Sequence, residues 1–452
     1  MAAITTVIGL AANGVAHAES RTISAQADAY DCGPNKPGDV LTLTPGPRGP
    51  LKISNCEGTK ANPIIIRNDP SGSGPTVIRR SSGGSGGWIF NCMNCVGVVI
   101  DGSYKWKGAP GGKTYGIQIT MTGGQGPSAF LRMGGLSRNF TIRNVEIDGA
   151  WPRLSSNGSG IRVNDHDINR SKYSGLWREG ILIENNFIHD IRNSGMYIGP
   201  NYNDGDIPLR NVEIRNNVVE DTGFEGIHGK SWWEGNNSIH HNVVRRAGKT
   251  TTTLNESSQY SGIKIMAGTG KIFSNWVEAT GQHGIVSWTQ EGPKASEGRG
   301  PFNADIWNNV IVDAGSLWKP FMQNAYGISV GAQSGTEKPV PHVYNNTIVN
   351  ARQGGIIVTS NVSPGFVRDN ILAGTGGNPV LKAPSYVDLV NNRIGAVTQM
   401  GFVNPSQGNY RLTIGSPARN DGSNVFPDND FAGVLRPKEG SADQGAFEGS
   451  GN

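Results

Sequence analysis

One phrase recurs along this chain and leaves few folds open to it: an apolar–polar–apolar run ending in Asn, then Gly-Ile-x-Ile after a variable loop. The first half reads Ile181-Leu-Ile-Glu-Asn-Asn186-Phe-Ile188, then Val212-Glu-Ile-Arg-Asn-Asn217-Val-Val219. It returns as Ser238-Ile-His-His-Asn242, Ile306-Trp-Asn-Asn309 and Val343-Tyr-Asn-Asn346. The second half reads Gly116-Ile-Gln-Ile119, Gly160-Ile-Arg-Val163, Gly195-Met-Tyr-Ile198, Gly226-Ile-His-Gly229 and Gly262-Ile-Lys-Ile265, and continues from Gly284, Gly327 and Gly355. Successive Gly-Ile units lie roughly 22–44 residues apart, the period of a solenoid coil with variable loops. Period-2 alternation inside each run marks half-buried strands rather than helices. A strand this short cannot bury its apolar face alone, but coils stacked at the strand spacing bury one another's. The expected fold is all-β, a right-handed parallel β-helix with capped ends. The recurring Asn belongs at a sharp turn, where its amide can bond its counterpart in the next coil as an Asn ladder. Asn345, although in an Asn-x-Thr triplet, is expected on that ladder and hence inaccessible.

Composition agrees with this reading: 65 Gly and only 17% charged residues favour many short strands joined by turns over a helical protein. A net charge of +4 suits an anionic partner, but no basic run with interleaved aromatics points to nucleic acid. Residues 1–18 end in Ala-His-Ala and resemble the apolar core and cleavage site of a signal peptide, without its positive start. No stretch is apolar enough to span a bilayer, so a secreted protein is expected. Cys32, Cys56, Cys92 and Cys95 allow three pairings, of which Cys32–Cys56 with Cys92–Cys95 is favoured. The expected organisation is a leader (1–18), an N-terminal cap with the first coils and the cysteines (19–100), the β-helix body (101–400) and a closing tail (401–452).

Strand alternation also locates the outward side chains. In Gly-Ile-x-Ile-x the Ile positions face the core, so the x positions face out. One outward column is then Gln118, Arg162, Tyr197, His228, Lys264, Val286, Ser329, and the next is Thr120, Asn164, Gly199, Lys230, Met266, Trp288, Gly331. Cations, a phenol and an imidazole gather between Arg162 and Met266, with no carboxylate in either column. Trp232, Trp233 and Trp288 adjoin this patch and are candidates for stacking on sugar rings, as Gln118 is for hydrogen bonding.

Such a set fits β-elimination of a uronic-acid polymer. A cation or hydrogen-bond donor neutralises the C6 carboxylate, a base removes the C5 proton, and an acid protonates the departing O4. The pair Gly-Met-Tyr197-Ile-Gly and Gly-Ile-His-Gly-Lys230 resembles the Tyr/Lys arrangement of β-helix alginate lyases, most closely polysaccharide lyase family 31. That resemblance implies Tyr197 and Lys230 as the acid/base pair, in either order, and alginate or a related polyuronate as substrate. Arg162, Asn164, His228 and Lys264 are the candidates to hold the carboxylate. No cofactor is required. Calcium would call for a carboxylate cluster, and only Asp165 with Asp167 and Asp204 with Asp206 offer one, as turn residues. The expected partner is the anionic polysaccharide, with neither nucleic acid nor membrane, and the chain acting as a monomer.

Two other classes compete. A β-helix glycoside hydrolase would share the fold, and His228-Gly229 and Gly262-Ile-Lys264 resemble polygalacturonase motifs. That chemistry needs two carboxylates flanking the bond, and Met196-Tyr-Ile-Gly-Pro200 offers none. A uronan C5-epimerase would share the proton abstraction. A non-catalytic adhesin or carbohydrate-binding solenoid would need only the groove.

Overall fold

The repeat closes into coils because each apolar run is half a strand's worth of core. The computed structural model describes residues 18–449 except 82–86, 110–112, 124–125, 154–157, 165–175, 201–206, 251–258, 290–301, 323, 378–379 and 424–426. Three long sheets run the length of the molecule, of 12, 14 and 12 strands among the described residues. Sheet 1 includes Ser159–Val163, Met196–Ile198, Ile227–Lys230 and Ile263–Met266. Sheet 2 includes Arg178–Glu184 and Leu209–Arg215, and sheet 3 includes Phe187–Ile191 and Val218–Thr222. Each strand pairs in parallel with its counterpart one coil on, as Ile181 with Val212 and Ile188 with Val219. The architecture is the expected right-handed parallel β-helix.

Inside, one continuous apolar cluster fills the stack, with Ile161, Ile183, Ile214, Ile227, Ile263 and Ile306 all fully buried. The glycine opening each Gly-Ile unit has a packing reason. A Cβ on Gly226 would stand 2.3 Å from Val244 Cγ1, so the corner leaves room only for a hydrogen. The Asn ladder forms as well. Asn217 Nδ2 donates to Asn242 Oδ1 (2.9 Å), Asn242 to Asn275 (3.1 Å), Asn275 to Asn309 (3.0 Å) and Asn309 to Asn346 (3.0 Å). Each rung also donates to a carbonyl of the preceding coil, which satisfies a buried amide that would otherwise cost stability. Asn345 is not a rung. It is the turn residue beside rung Asn346, held at φ 51°, and its amide donates to the Asp443 carbonyl (3.0 Å). It is buried all the same, at 1% exposure.

Both favoured disulfides, Cys32–Cys56 and Cys92–Cys95, are present in the first coils. Residues 1–17, with nearly all of the leader-like segment, lie outside the described residues. Past the last coil the chain makes a small antiparallel hairpin (Phe402–Asn404 with Asn409–Leu412) and turns back. From there it packs along the outer flank of sheet 3, where Met400, Leu412 and Phe447 cover Val310, Val349 and Ile371. Arg436 fastens this return, donating to Glu448 (3.0 Å), to the Asp443 and Gly445 carbonyls (both 2.8 Å) and to Asn308 (3.4 Å). Among the described residues no helix is long and apolar enough to cross a membrane.

Candidate functional site

Strand register decides which side chains can act together. On sheet 1, Arg162 pairs with Tyr197, Tyr197 with His228, His228 with Lys264 and Lys264 with Val286. These four polar residues therefore form one column at the strand spacing, each on the outward side of its coil. They touch. The Arg162 guanidinium lies 5.3 Å from the centroid of the Tyr197 ring, and Tyr197 meets His228 edge-on at 4.7 Å. Lys230 follows His228 by two residues and pairs with Met266 in the second column. Gly199 underlies it: a Cβ there would lie 2.9 Å from the Lys230 Cβ, and Gly199 takes φ 150°. The second column is thus open to Lys230 only because position 199 carries no side chain.

Three expectations need correction. Gln118 is not on this face. Its strand, Ile117–Met121, belongs to sheet 3, where Gln118 pairs with Glu146 and donates to it (2.9 Å); Thr120 moves with it. The Gly-Ile-x-Ile spelling is the same, but the sheet 1 strand of that coil is Ala129–Gly134, and Arg132 takes the outward place beside Arg162. Trp232 does not reach a sugar either. It begins a short strand on sheet 2, packs in the core at 0% exposure, and donates its indole N–H to the Ile198 carbonyl (2.9 Å). Lastly, the face is less open than alternation implies. Tyr197 and Arg162 are half-buried, whereas Lys230 (2%), His228 (3%) and Lys264 (0%) are buried despite their outward register.

The remaining candidates divide. Asn164 is buried and accepts a short hydrogen bond from Arg132 Nε (2.6 Å), so it orients a neighbouring cation. Trp288 stands in the second column, half-buried, with its ring lying over Gly331 of the next coil. Trp233 is half-buried on sheet 2, just past the corner that ends at Lys230. The loop residues 201–206, most of the insertion after Trp288, and both Asp pairs considered for calcium lie outside the described residues.

Sequence columns missed a carboxylate. Glu225 lies at the corner just before the Gly226 unit, 2% exposed, with Oε1 3.4 Å from His228 Nδ1 and 3.6 Å from Lys264 Nζ. Ser194 Oγ donates to its other oxygen (2.8 Å). Two coils further on, His283 occupies the same corner position. The signal was the residue preceding each Gly-Ile unit, a third column that alternation alone does not flag. Burial drives the His228 imidazole well below its ordinary value, with the Lys264 and Lys230 charges adding to it. Burial likewise holds His283 down to about 3, helped by the Lys264 charge, and the Tyr326 N–H donates to its Nδ1 (3.1 Å). Both imidazoles are neutral at neutral pH. A neutral His228 adds no positive charge to the site.

One further group could converge on an ion, Asp148, His189 and Asp190 on the outer side of sheet 3. Its ligands are already engaged. His189 Nδ1 pairs with Asp190 (3.0 Å) and its Nε2 lies 3.5 Å from Glu146, while Arg153 pairs with Asp148 (3.1 Å). Against burial, those carboxylates raise His189 to about 8, and the cluster is held together as an ion-pair network.

With fold and face described, the class is plain: a parallel β-helix that carries a cation-rich polar column on sheet 1. A family model for the right-handed β-helix region matches residues 179–372. Among solved structures the chain is similar to pectate lyase Pel9A, at 13% identity over 97% of this chain and 98% of that one, with a TM-score of 0.50. It is also similar to an alginate lyase from Paenibacillus sp. str. FPU-7 (13% identity, 83% of this chain, 99% of that one, TM-score 0.40). A third is the PL6 family polysaccharide lyase Pedsa3628 from Pseudopedobacter saltans (14% identity, 90% and 99%, TM-score 0.40). No curated protein matches the chain in sequence. At such identities the likeness to the pectate lyase is one of fold.

Proposed function

We propose that this protein is a secreted polysaccharide lyase that cleaves alginate or a related polyuronate by β-elimination. The observation that carries the reading is the unbroken column Arg162–Tyr197–His228, with Lys230 beside it one coil above Tyr197. A uronate lying across Tyr197 would meet the phenol, with the buried Lys230 amine and the buried neutral imidazole of His228 beside it. Its carboxylate would be held by Arg162, since the charge of Lys264 is already matched by Glu225. That cation stabilises the charge that develops when the C5 proton leaves. One member of the Tyr197/Lys230 pair removes the C5 proton, the electron pair forms the C4–C5 double bond, and the other protonates the departing O4. The likeness to family 31 alginate lyases in the Tyr/Lys pair favours alginate among polyuronates. Two disulfides suit an oxidising, extracytoplasmic compartment.

The test is direct. Alginate, pectate and glucuronan are incubated with the protein, and the ultraviolet absorbance of the unsaturated product is followed. Absorbance should grow on one polymer and fall by about 10²–10⁴-fold in Tyr197→Phe and Lys230→Ala. New reducing ends without absorbance would make the protein a hydrolase. Inverted C5 centres in uncut polymer would make it an epimerase, and binding without any change would make it a carbohydrate-binding solenoid.

A further inference from the structure

The polar column does not stop at Arg162. Register carries it toward the N-terminus through Arg132 and Asn91 to Lys52. Three coil steps separate Asn91 from Tyr197, roughly 14 Å at the strand spacing. There the sheet 1 face opens into a pocket of about 560 Å³, lined in part by Asp28, Lys52, Trp88, Asn91 and Met93. That volume lies within the range of small-ligand sites. Asn91 is 4% exposed, and its Oδ1 is buried with no hydrogen-bond partner. Leaving such an acceptor unpaired costs free energy, and a ligand hydroxyl would recover it.

We infer that this pocket is a distal sugar subsite, holding one uronate of the same chain whose cleaved bond sits at Tyr197. The inference rests on the polyuronate reading above and deepens it. Continuity with the column fixes the occupant, because a chain laid along the coil axis over Arg162 and Tyr197 runs into the pocket. The lining chemistry fits a charged pyranose. Lys52 is exposed on the rim and pairs with a carboxylate; the Asp28 carboxylate and Asn91 Oδ1 accept hydroxyl protons; the Trp88 indole supplies a ring wall. Arg132 braces that wall, its guanidinium 4.2 Å from the Trp88 ring centroid and its Nε bonded to Asn164. It is fully buried, and therefore a strut between the pocket and the site rather than a contact to the sugar.

The subsite predicts a dependence on chain length. A trisaccharide anchored at Tyr197 is too short to enter the pocket, whereas a heptasaccharide reaches it. For the full-length protein, the KM advantage of a heptasaccharide over a trisaccharide should shrink about fivefold in Lys52→Ala and in Asn91→Leu, with kcat on the heptasaccharide retained. Trp88→Ala should shrink it further, but it also frees Arg132, so Lys52→Ala and Asn91→Leu are the deciding substitutions. An unaltered advantage in both overturns the subsite while the lyase reading stands. If no uronate oligomer is turned over, the lyase reading falls, and titration calorimetry decides the subsite separately. Galacturonate, mannuronate, guluronate and glucuronate heptasaccharides would be titrated into wild type and Lys52→Ala. Binding weakened by the substitution supports the subsite; equal binding, or none, removes it.

Discussion

Two faces of this solenoid stack side chains at the same spacing and use them in opposite ways. On sheet 2, His240, Phe273 and Trp307 lie nearly parallel with centroids 4.6 Å apart, and Tyr344 continues the pile at 5.7 Å. Each ring satisfies the next, so the ladder is stable without anything bound. On sheet 1 the same geometry stacks Arg162, Tyr197, His228 and Lys264, beside Lys230. Cations cannot satisfy cations. This column is supported instead by Glu225, and by an imidazole kept neutral through burial. A face that costs free energy to build, next to one that does not, is where selection for binding or chemistry is to be sought.

Substitutions can break this contrast. The largest effect is expected from Glu225→Ala, which leaves Lys264 buried without its carboxylate and should destabilise the fold by about 3–5 kcal/mol in chemical denaturation. Glu225→Gln retains a partner for the Ser194 hydroxyl and should recover a part of that. Equal stability of wild type and Glu225→Ala would mean the sheet 1 column needs no support. Trp307→Ala should cost less, about 2 kcal/mol, because the rings are only half-buried and the ladder can partly close. A loss as large as that of Glu225→Ala would erase the distinction between the faces.

The smallest effect is a slope with pH. Above pH 6.5 His283 is neutral whether folded or unfolded; below it the unfolded chain takes up a proton that the folded chain, with His283 near 3, refuses. Stability should therefore fall with pH between 6 and 5, and His283→Gln should flatten that slope by roughly 1 kcal/mol per pH unit. His228 acts in the same sense. His189, raised to about 8 by Glu146 and Asp190, acts in the other, contributing stability below 6.5 that is lost as pH rises through 8. Melting temperatures from pH 5 to 9 should peak near neutrality, and a steady rise with pH would contradict the His189 network.

The alternation that exposed Arg162, Tyr197, His228 and Lys264 as a column was legible because a strand's side chains alternate whatever surrounds it. Gln118 shows the limit. Its motif is spelled like the others, yet only hydrogen-bonded register reveals that it lies on sheet 3 and that Arg132, in a strand lacking Gly-Ile, holds the sheet 1 place. Trp232 fails for another reason: an indole after a strand can face in or out, and a left-handed turn at Ser231 sends it into the core. Glu225 sits at a corner, where period two gives no direction.

From the one-dimensional pattern came the solenoid, its Asn rungs and most of the outward column, since all of these follow from local periodicity and short-range turn chemistry. Tertiary structure alone decided which coils are neighbours, how deeply Lys230 and Lys264 are buried, and that Glu225 reaches between His228 and Lys264. The reason is loop length. Coils of unequal size bring together residues whose separation in the chain carries no fixed relation to their distance in space.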